Sequence, residues 1–206
     1  FVANSRHVAN RVRRYYGREA TVVHPPVAVD DFSISPDVGD FYLCAGQLVG
    51  YKRVDLAVEA FTRLGKPLVV IGEGPERKRL GAKAGPNVTF LGAQPFDVLR
   101  DHLARCRALV FPGEEDFGIV PVEAMASGRP VIAFGRGGGT ETVRDRETGL
   151  LFAEQTVESL MAAIEAFEAA AGGFDPVRIR EHARTFDADV FATRMRAVID
   201  ETIRGH

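Results

Sequence analysis

The chain has 206 residues, enough for one large domain or for one domain with additional segments. With 46% hydrophobic and 26% charged residues it has the composition of a globular protein with a full core, and no low-complexity tract or repeat interrupts it. A formal net charge of −2 leaves no global field to draw nucleic acid, and no apolar run approaches the ~18 residues of a membrane span.

Residues 1–18 read as a strand end, Phe1-Val2-Ala3, followed by a basic amphipathic helix. In that helix Val8, Val12 and Tyr15 or Tyr16 recur at helical spacing between arginines. An opening on strand-like Phe1 is expected of a piece of a longer polypeptide. Thr21-Val22-Val23 is a short strand, broken by Pro25-Pro26. Residues 27–40, with Pro36, Gly39 and aspartates among few apolar groups, read as a linker or loop.

After residue 40 apolar runs alternate with helical patterns. Tyr42 to Ala45, Leu68 to Ile71, Val88 to Leu91, Ala108 to Phe111, Val131 to Phe134 and Leu150 to Phe152 read as strands. Helical patterns run from Val54 to Leu64, from Glu76, from about Pro95 to Ala104, around Ile119 to Ala126, and briefly after Gly137-Gly138-Gly139. Continuous apolar strands separated by helices predict an α/β doubly wound parallel sheet, Rossmann-like and covered on both faces. The tail from Thr156 is helical, with a break at Gly172-Gly173. Cys44, in an apolar run, and Cys106, near a helix end, have no CxxC or metal spacing and read as reduced core thiols. With no signal peptide visible, that fits a cytoplasmic location better than secretion.

Doubly wound sheets bind ligands at the carboxyl ends of their strands. Those ends carry Gly46-Gln47, Gly72-Glu73-Gly74, Gly92, Pro112 to Glu115 and Gly135 to Gly139, so the candidate groups are expected along one edge. The stretch from Glu114 to Gly128 is the most informative. Glu115 ends a loop and Glu123 follows eight positions on, with Pro121 suited to a first helical turn. The amides of Phe117, Gly118 and Ile119 would then face outward at a helix start and favour phosphate oxygens, while Gly118 allows close approach. Carboxylates beside a phosphate site suit neutral sugar hydroxyls as hydrogen-bond donors. Local physics alone balances this evenly against two glutamates that merely charge a first turn.

This stretch, with its continuation Ala124-Met125-Ala126-Ser127-Gly128-Arg129-Pro130-Val131-Ile132, resembles the Glu–seven residues–Glu motif of retaining GT-B glycosyltransferases of group 1. Gly72-Glu73-Gly74-Pro75, Asn87 to Gly92 and Gly138-Gly139-Thr140-Glu141 match in order. Ala3-Asn4-Ser5, Tyr15-Tyr16-Gly17 and Val23 to Val27 resemble the crossover into the C-terminal domain of that family. The resemblance implies that Glu115 contacts the donor sugar and Glu123 the ribose hydroxyls. It implies that Lys52 clamps the donor pyrophosphate, and that Gln47 stands where the family usually has Arg, with Arg53 as a candidate replacement. Gly74 would shape the nucleotide groove through a tight turn, and Gln94 lies where the family's backbone meets the base. The glycine run 137–139 reads equally as a phosphate loop or a strand-to-helix turn.

His24, His102 and His182 are scattered and read as structural. The Arg6, Arg11, Arg13, Arg14 and Arg18 cluster reads as a solvated face or an interface with a missing domain, ahead of contact with anionic lipid.

The resemblance divides the chain into residues 1–40, a crossover helix, short strand and linker from a missing N-terminal acceptor domain, and residues 41–206, a nucleotide-sugar-binding domain with C-terminal helices. It implies transfer of a hexose, mannose first, from a nucleotide diphosphate sugar to an acceptor glycan or lipid-linked glycan with retention. GDP-mannose is the first donor expected and UDP-sugars the next. Neither a metal nor any other cofactor is expected, nucleic acid is not a partner, and membrane contact is at most peripheral, at the inner face. A nucleotide-sugar-binding module without activity of its own and a GT-B-fold nucleotide-sugar epimerase are the alternatives.

Overall fold

Short runs rich in Val, Ile, Leu and Phe become strands here, and the amphipathic stretches between them become the helices that cover those strands. The computed structural model describes residues 1–170 and 172–204. The chain opens with β1 (Val2–Ala3), α1 (Arg6–Tyr16) and β2 (Thr21–Val22); β1 and β2 pair in parallel as a ribbon apart from the main sheet. Ser5 caps α1 by accepting from the Val8 amide, and Gly17 closes it in the left-handed region at φ 60°. Residues 27–40 contain one 3-10 turn, Val29–Asp31. They are more than a solvated connection: Val27, Val29 and Phe32 are buried, while Asp30 and Asp31 face water.

The main sheet is built from β3 (Tyr42–Ala45), β4 (Leu68–Ile71), β5 (Val88–Gly92), β6 (Leu109–Phe111), β7 (Val131–Phe134) and β8 (Gly149–Phe152). The helices α2 (Val54–Leu64), α3 (Arg77–Lys83), α4 (Phe96–Arg105), α5 (Ile119–Ala126) and α6 (Gly139–Thr142) alternate with them. All pairings are parallel, and the strand order is β5-β4-β3-β6-β7-β8. The chain therefore walks outward from β3 to β5, returns through α4, and walks outward the other way from β6 to β8. The reversal lies between β3 and β6, where the loops leaving the two strands part and open a crevice.

Alternation along the strands makes two cores. Tyr42, Cys44, Leu68, Val70, Val110 and Ile132 pack with α2 and with α7 (Val157–Ala169). Leu43, Ile71, Leu109, Phe111, Val131 and Ala133 pack with α4, α5 and α8 (Pro176–Ala183). Cys44 and Cys106 lie one in each core, both unpaired, and burial pushes both thiols up to about 12. The tail breaks at residues 172–173 as expected and again at the 3-10 turn Arg184–Phe186 before α9 (Ala188–Arg204). The second break carries no glycine signal; Phe186 turns into the core against His24 and Phe117. Among the described residues no helix is long and apolar enough to cross a membrane.

Candidate functional site

The carboxyl ends of β3 to β8 share one edge, and glycines let their loops stack backbone to backbone. A Cβ on Gly72 would overlap the Gly46 carbonyl oxygen, and one on Gly74 would overlap that of Leu48. Gly74 thus keeps the loops after β3 and β4 pressed into one wall. At the end of β6, a Cβ on Gly113 would lie 2.8 Å from the Lys52 Cα, so the backbone of Lys52 lies against that strand end.

Lys52 ends a 3-10 turn, Gly50–Lys52, just before α2. Its Nζ lies 2.9 Å from Glu115 Oε1, with both side chains 18% exposed. Lysine comes from the loop after β3 and glutamate from the loop after β6, so the ion pair sits in the crevice where the strand order reverses. The triple-glycine turn holds the second loop. Gly138 N–H donates to the Glu115 carbonyl at 2.7 Å, and a Cβ on Gly138 would collide with the Phe117 backbone. The glycine run makes the strand-to-helix turn from β7 into α6 and spends the Gly138 amide on Glu115.

Gly118, at φ 90°, ends the loop and opens α5, with Pro121 in the first turn. Among the described residues, the N–H groups of Phe117, Gly118 and Ile119 meet no acceptor. The Phe117 side chain itself is buried, stacked on His24 with ring centroids 5.3 Å apart, so only its backbone can serve a ligand. Lys52, Glu115, Phe117, Gly118 and Ile119 line one cavity of about 590 Å³. Glu114 and Asp116 also line it, so carboxylates there outnumber the cations Lys52 and Arg11. An anion would have to depend on Lys52 and the free amides. A larger cavity of about 790 Å³ lies beside α8, where arginines and carboxylates face one another.

The other predicted residues do not line this cavity. Gln47 is exposed beyond Gly46. Arg53, with a left-handed φ of 50°, turns its guanidinium to Asp55 at 3.1 Å and to Gln155 at 3.3 Å. It braces the start of α2 against the loop after β8 and stands apart from the Lys52–Glu115 pair. Gln94 donates to the Leu91 carbonyl at 2.6 Å and closes the loop after β5. Glu123 is one turn into α5; burial pushes its carboxyl up, and no side-chain partner among the described residues offsets that.

Sequence reasoning passed over three contributors. Arg11, read within a solvated cluster, reaches Asp116 at 2.9 Å and lines the cavity, as do Asn4 and the exposed Tyr51. The Arg11–Asp116 pair is 105 positions apart, and nothing local announces it. The histidines do pack structurally. His24 bonds to Glu141, His102 to the Val98 carbonyl and His182 to that of Thr142.

Residues 40–168 match the family described as glycosyl transferases group 1. A GDP-mannose-dependent α-(1-6)-phosphatidylinositol monomannoside mannosyltransferase of Mycolicibacterium smegmatis is 28% identical over 192 residues, covering 78% of this chain and 50% of its own. Among solved structures, sucrose-phosphate synthase of Thermosynechococcus elongatus superposes with a TM-score of 0.85 at 25% identity, covering 100% of this chain and 58% of its own. The Anabaena protein HepE in complex with UDP-glucose superposes at 0.83 and 20% identity, covering 97% and 63%. The chain spans about half the length of the curated relatives it matches.

Proposed function

The chain belongs to the glycosyl transferases group 1 family, and on that premise we propose that it forms the donor-binding part of an enzyme that moves a hexose from a nucleotide diphosphate sugar to an acceptor hydroxyl, with retention at the anomeric carbon. The observation that carries this reading is the Lys52–Glu115 pair in the crevice of the sheet, beside the unpartnered amides of Phe117, Gly118 and Ile119.

The roles follow from charge and reach. As the bond to the sugar breaks, negative charge grows on the diphosphate; Lys52 and the start of α5 are fixed positive groups aimed at that region. Glu115 accepts hydrogen bonds from sugar hydroxyls once the donor's phosphate takes over part of Lys52. Glu123, with no side-chain partner among the described residues, accepts from the ribose hydroxyls. Gly74 and Gln94 shape the wall and floor of the nucleotide groove. Gln47 contributes a neutral donor where the family resemblance leads one to expect a cation, and Arg53 acts by bracing Lys52's loop.

GDP-mannose is the first donor in this reading, because the mycobacterial relative uses it. UDP-sugars come next, because a protein of the same fold holds UDP-glucose. Residues 1–40 serve as the crossover to an acceptor-binding domain, and the acceptor is a glycan or lipid-linked glycan. Lys52 and the amides supply the positive potential that a divalent metal provides in other sites. The test is calorimetric titration of the chain with GDP-mannose and UDP-glucose in excess chelator. Saturable binding of either is expected; a strict requirement for magnesium or manganese would remove the metal-free reading, and binding of neither donor with or without metal would remove the donor site.

A further inference from the structure

Helix α1 has no buried residue; Val8, Ala9 and Val12 are only half-buried, so apolar packing alone does not explain its position. Its first turn is instead saturated by hydrogen bonds. The amides of Arg6 and His7 donate to Glu141 Oε2 and Oε1 at 2.9 and 3.0 Å, and that of Val8 to Ser5 Oγ at 3.0 Å. A carboxylate thus meets the positive end of the helix, the favourable arrangement. His24 Nε2 lies 3.1 Å from the same Glu141 Oε2, and the Glu141 side chain is 4% exposed. Burial alone would raise the Glu141 carboxyl, but the two amides and His24 outweigh it and hold the carboxyl below its ordinary range.

Glu141 belongs to α6, the turn whose entry residue, Gly138, holds the Glu115 carbonyl. The elements it grips return to the same loop. Arg11 of α1 pairs with Asp116 at 2.9 Å, and the His24 ring stacks on Phe117. One short turn therefore holds the loop from Glu115 to Phe117 directly from one side and through α1 and His24 from the other.

We propose that Glu141 is a positioning residue of the donor site: by fixing the first turn of α1 and the His24 ring, it sets the backbone of Asp116, Phe117 and Gly118 against which the donor lies. The inference rests on the donor reading above only for its last clause, and the experiment separates the two. Glu141→Gln keeps size but replaces one acceptor atom by an NH₂, so one of the two α1 amides loses its partner. In amide NMR spectra of the 206-residue chain, the signals of Arg6 and His7 should shift, and so should those of Phe117 and Gly118. Signals of β4 and β5 should stay, which a general loss of stability would not produce. GDP-mannose affinity should fall about tenfold, the size expected when a lost charge-assisted hydrogen bond is felt at the site. If Glu141→Gln fails to fold, Glu141→Asp carries the test: it keeps the charge but draws the carboxylate back from the α1 amides and His24, and should move Arg6, His7, Phe117 and Gly118 together. Unmoved Phe117 and Gly118 signals overturn the proposal, as do moved signals with unchanged affinity. Should the unmutated chain bind neither GDP-mannose nor UDP-glucose, the donor reading falls, and the shifts still decide whether Glu141 governs the loop.

Discussion

Lys52 and Glu115 sit 2.9 Å apart with both side chains largely shielded, so removing either leaves the other partly buried without its counter-ion. Lys52→Ala should weaken GDP binding tenfold or more, since a hydrogen bond to a charged group contributes ~1.5–3 kcal/mol and the bare Glu115 would repel phosphate. Unchanged affinity in calorimetry would remove Lys52 from the diphosphate clamp. Glu115→Gln should lower GDP-mannose affinity while leaving GDP binding equal or tighter, because it frees Lys52. Glu123 differs in kind. Its carboxyl is raised by burial, so its contribution to stability is present below the unfolded value of about 4.3 and is lost as pH rises through the raised folded value. Above the unfolded value the raised carboxyl is a standing cost to the folded state. Glu123→Gln should therefore raise the melting temperature at pH 7, by about 2–4 °C for each ~1 kcal/mol gained, and less so at pH 4. The same change should weaken GDP and GDP-mannose alike. A lower melting temperature at pH 7 would contradict the burial argument, and full GDP affinity would contradict the ribose role.

At the scale of the element, the glycine turns fix where the loops lie. A Cβ on Gly138 would strike the Phe117 backbone, which cannot rotate away, whereas one on Gly50 meets nothing within 4 Å. Gly138→Ala should cost ~1–3 kcal/mol or more as overpacking and displace the loop, while Gly50→Ala should be close to neutral. Comparable melting temperatures for the two would show that the turn tolerates a side chain. The tie between α6 and α1 has a pH signature. Because the Glu141 carboxyl is depressed, its contribution is present above the unfolded value of about 4.3 and is lost as pH falls through the depressed folded value. Hydrogen exchange at the Arg6 and His7 amides, corrected for intrinsic rates, should therefore accelerate only under acid conditions. Acceleration between pH 6 and 8 would point to a different anchor. The bounds of α2 and α5 were readable from apolar spacing and from the Gly118-to-Pro121 start signal. The second break in the tail was not, because Phe186 is turned inward by partners remote in sequence.

For the molecule as a whole, the cavity at the sheet edge gathers Lys52, Glu115 and the backbone at the start of α5, but the chain spans only about half the length of its relatives. A transferase must also orient an acceptor and exclude water. Orientation alone can account for ~7–11 kcal/mol of a barrier. The 206-residue chain is accordingly expected to bind GDP-mannose or a UDP-sugar in calorimetry and to transfer no sugar to candidate acceptors. Robust transfer by this chain would place the acceptor site within residues 1–40 or the helical tail.

Composition and periodicity by themselves determined that this chain makes a doubly wound parallel sheet, that its loops of interest share one edge, and that the stretch from Glu114 to Gly128 opens a helix there. These are local properties: a strand's burial and a helix's start are written in neighbouring residues. Only the tertiary structure decided which groups meet. Lys52 found Glu115 because the strand order reverses between β3 and β6. Arg53, adjacent in sequence and equal in charge, was turned to Asp55 and Gln155 by one left-handed residue. Arg11 joined Asp116, and Glu141 capped a helix 135 positions away. Such pairings depend on how strand order and loop packing bring distant segments together, and no spacing along the chain records that.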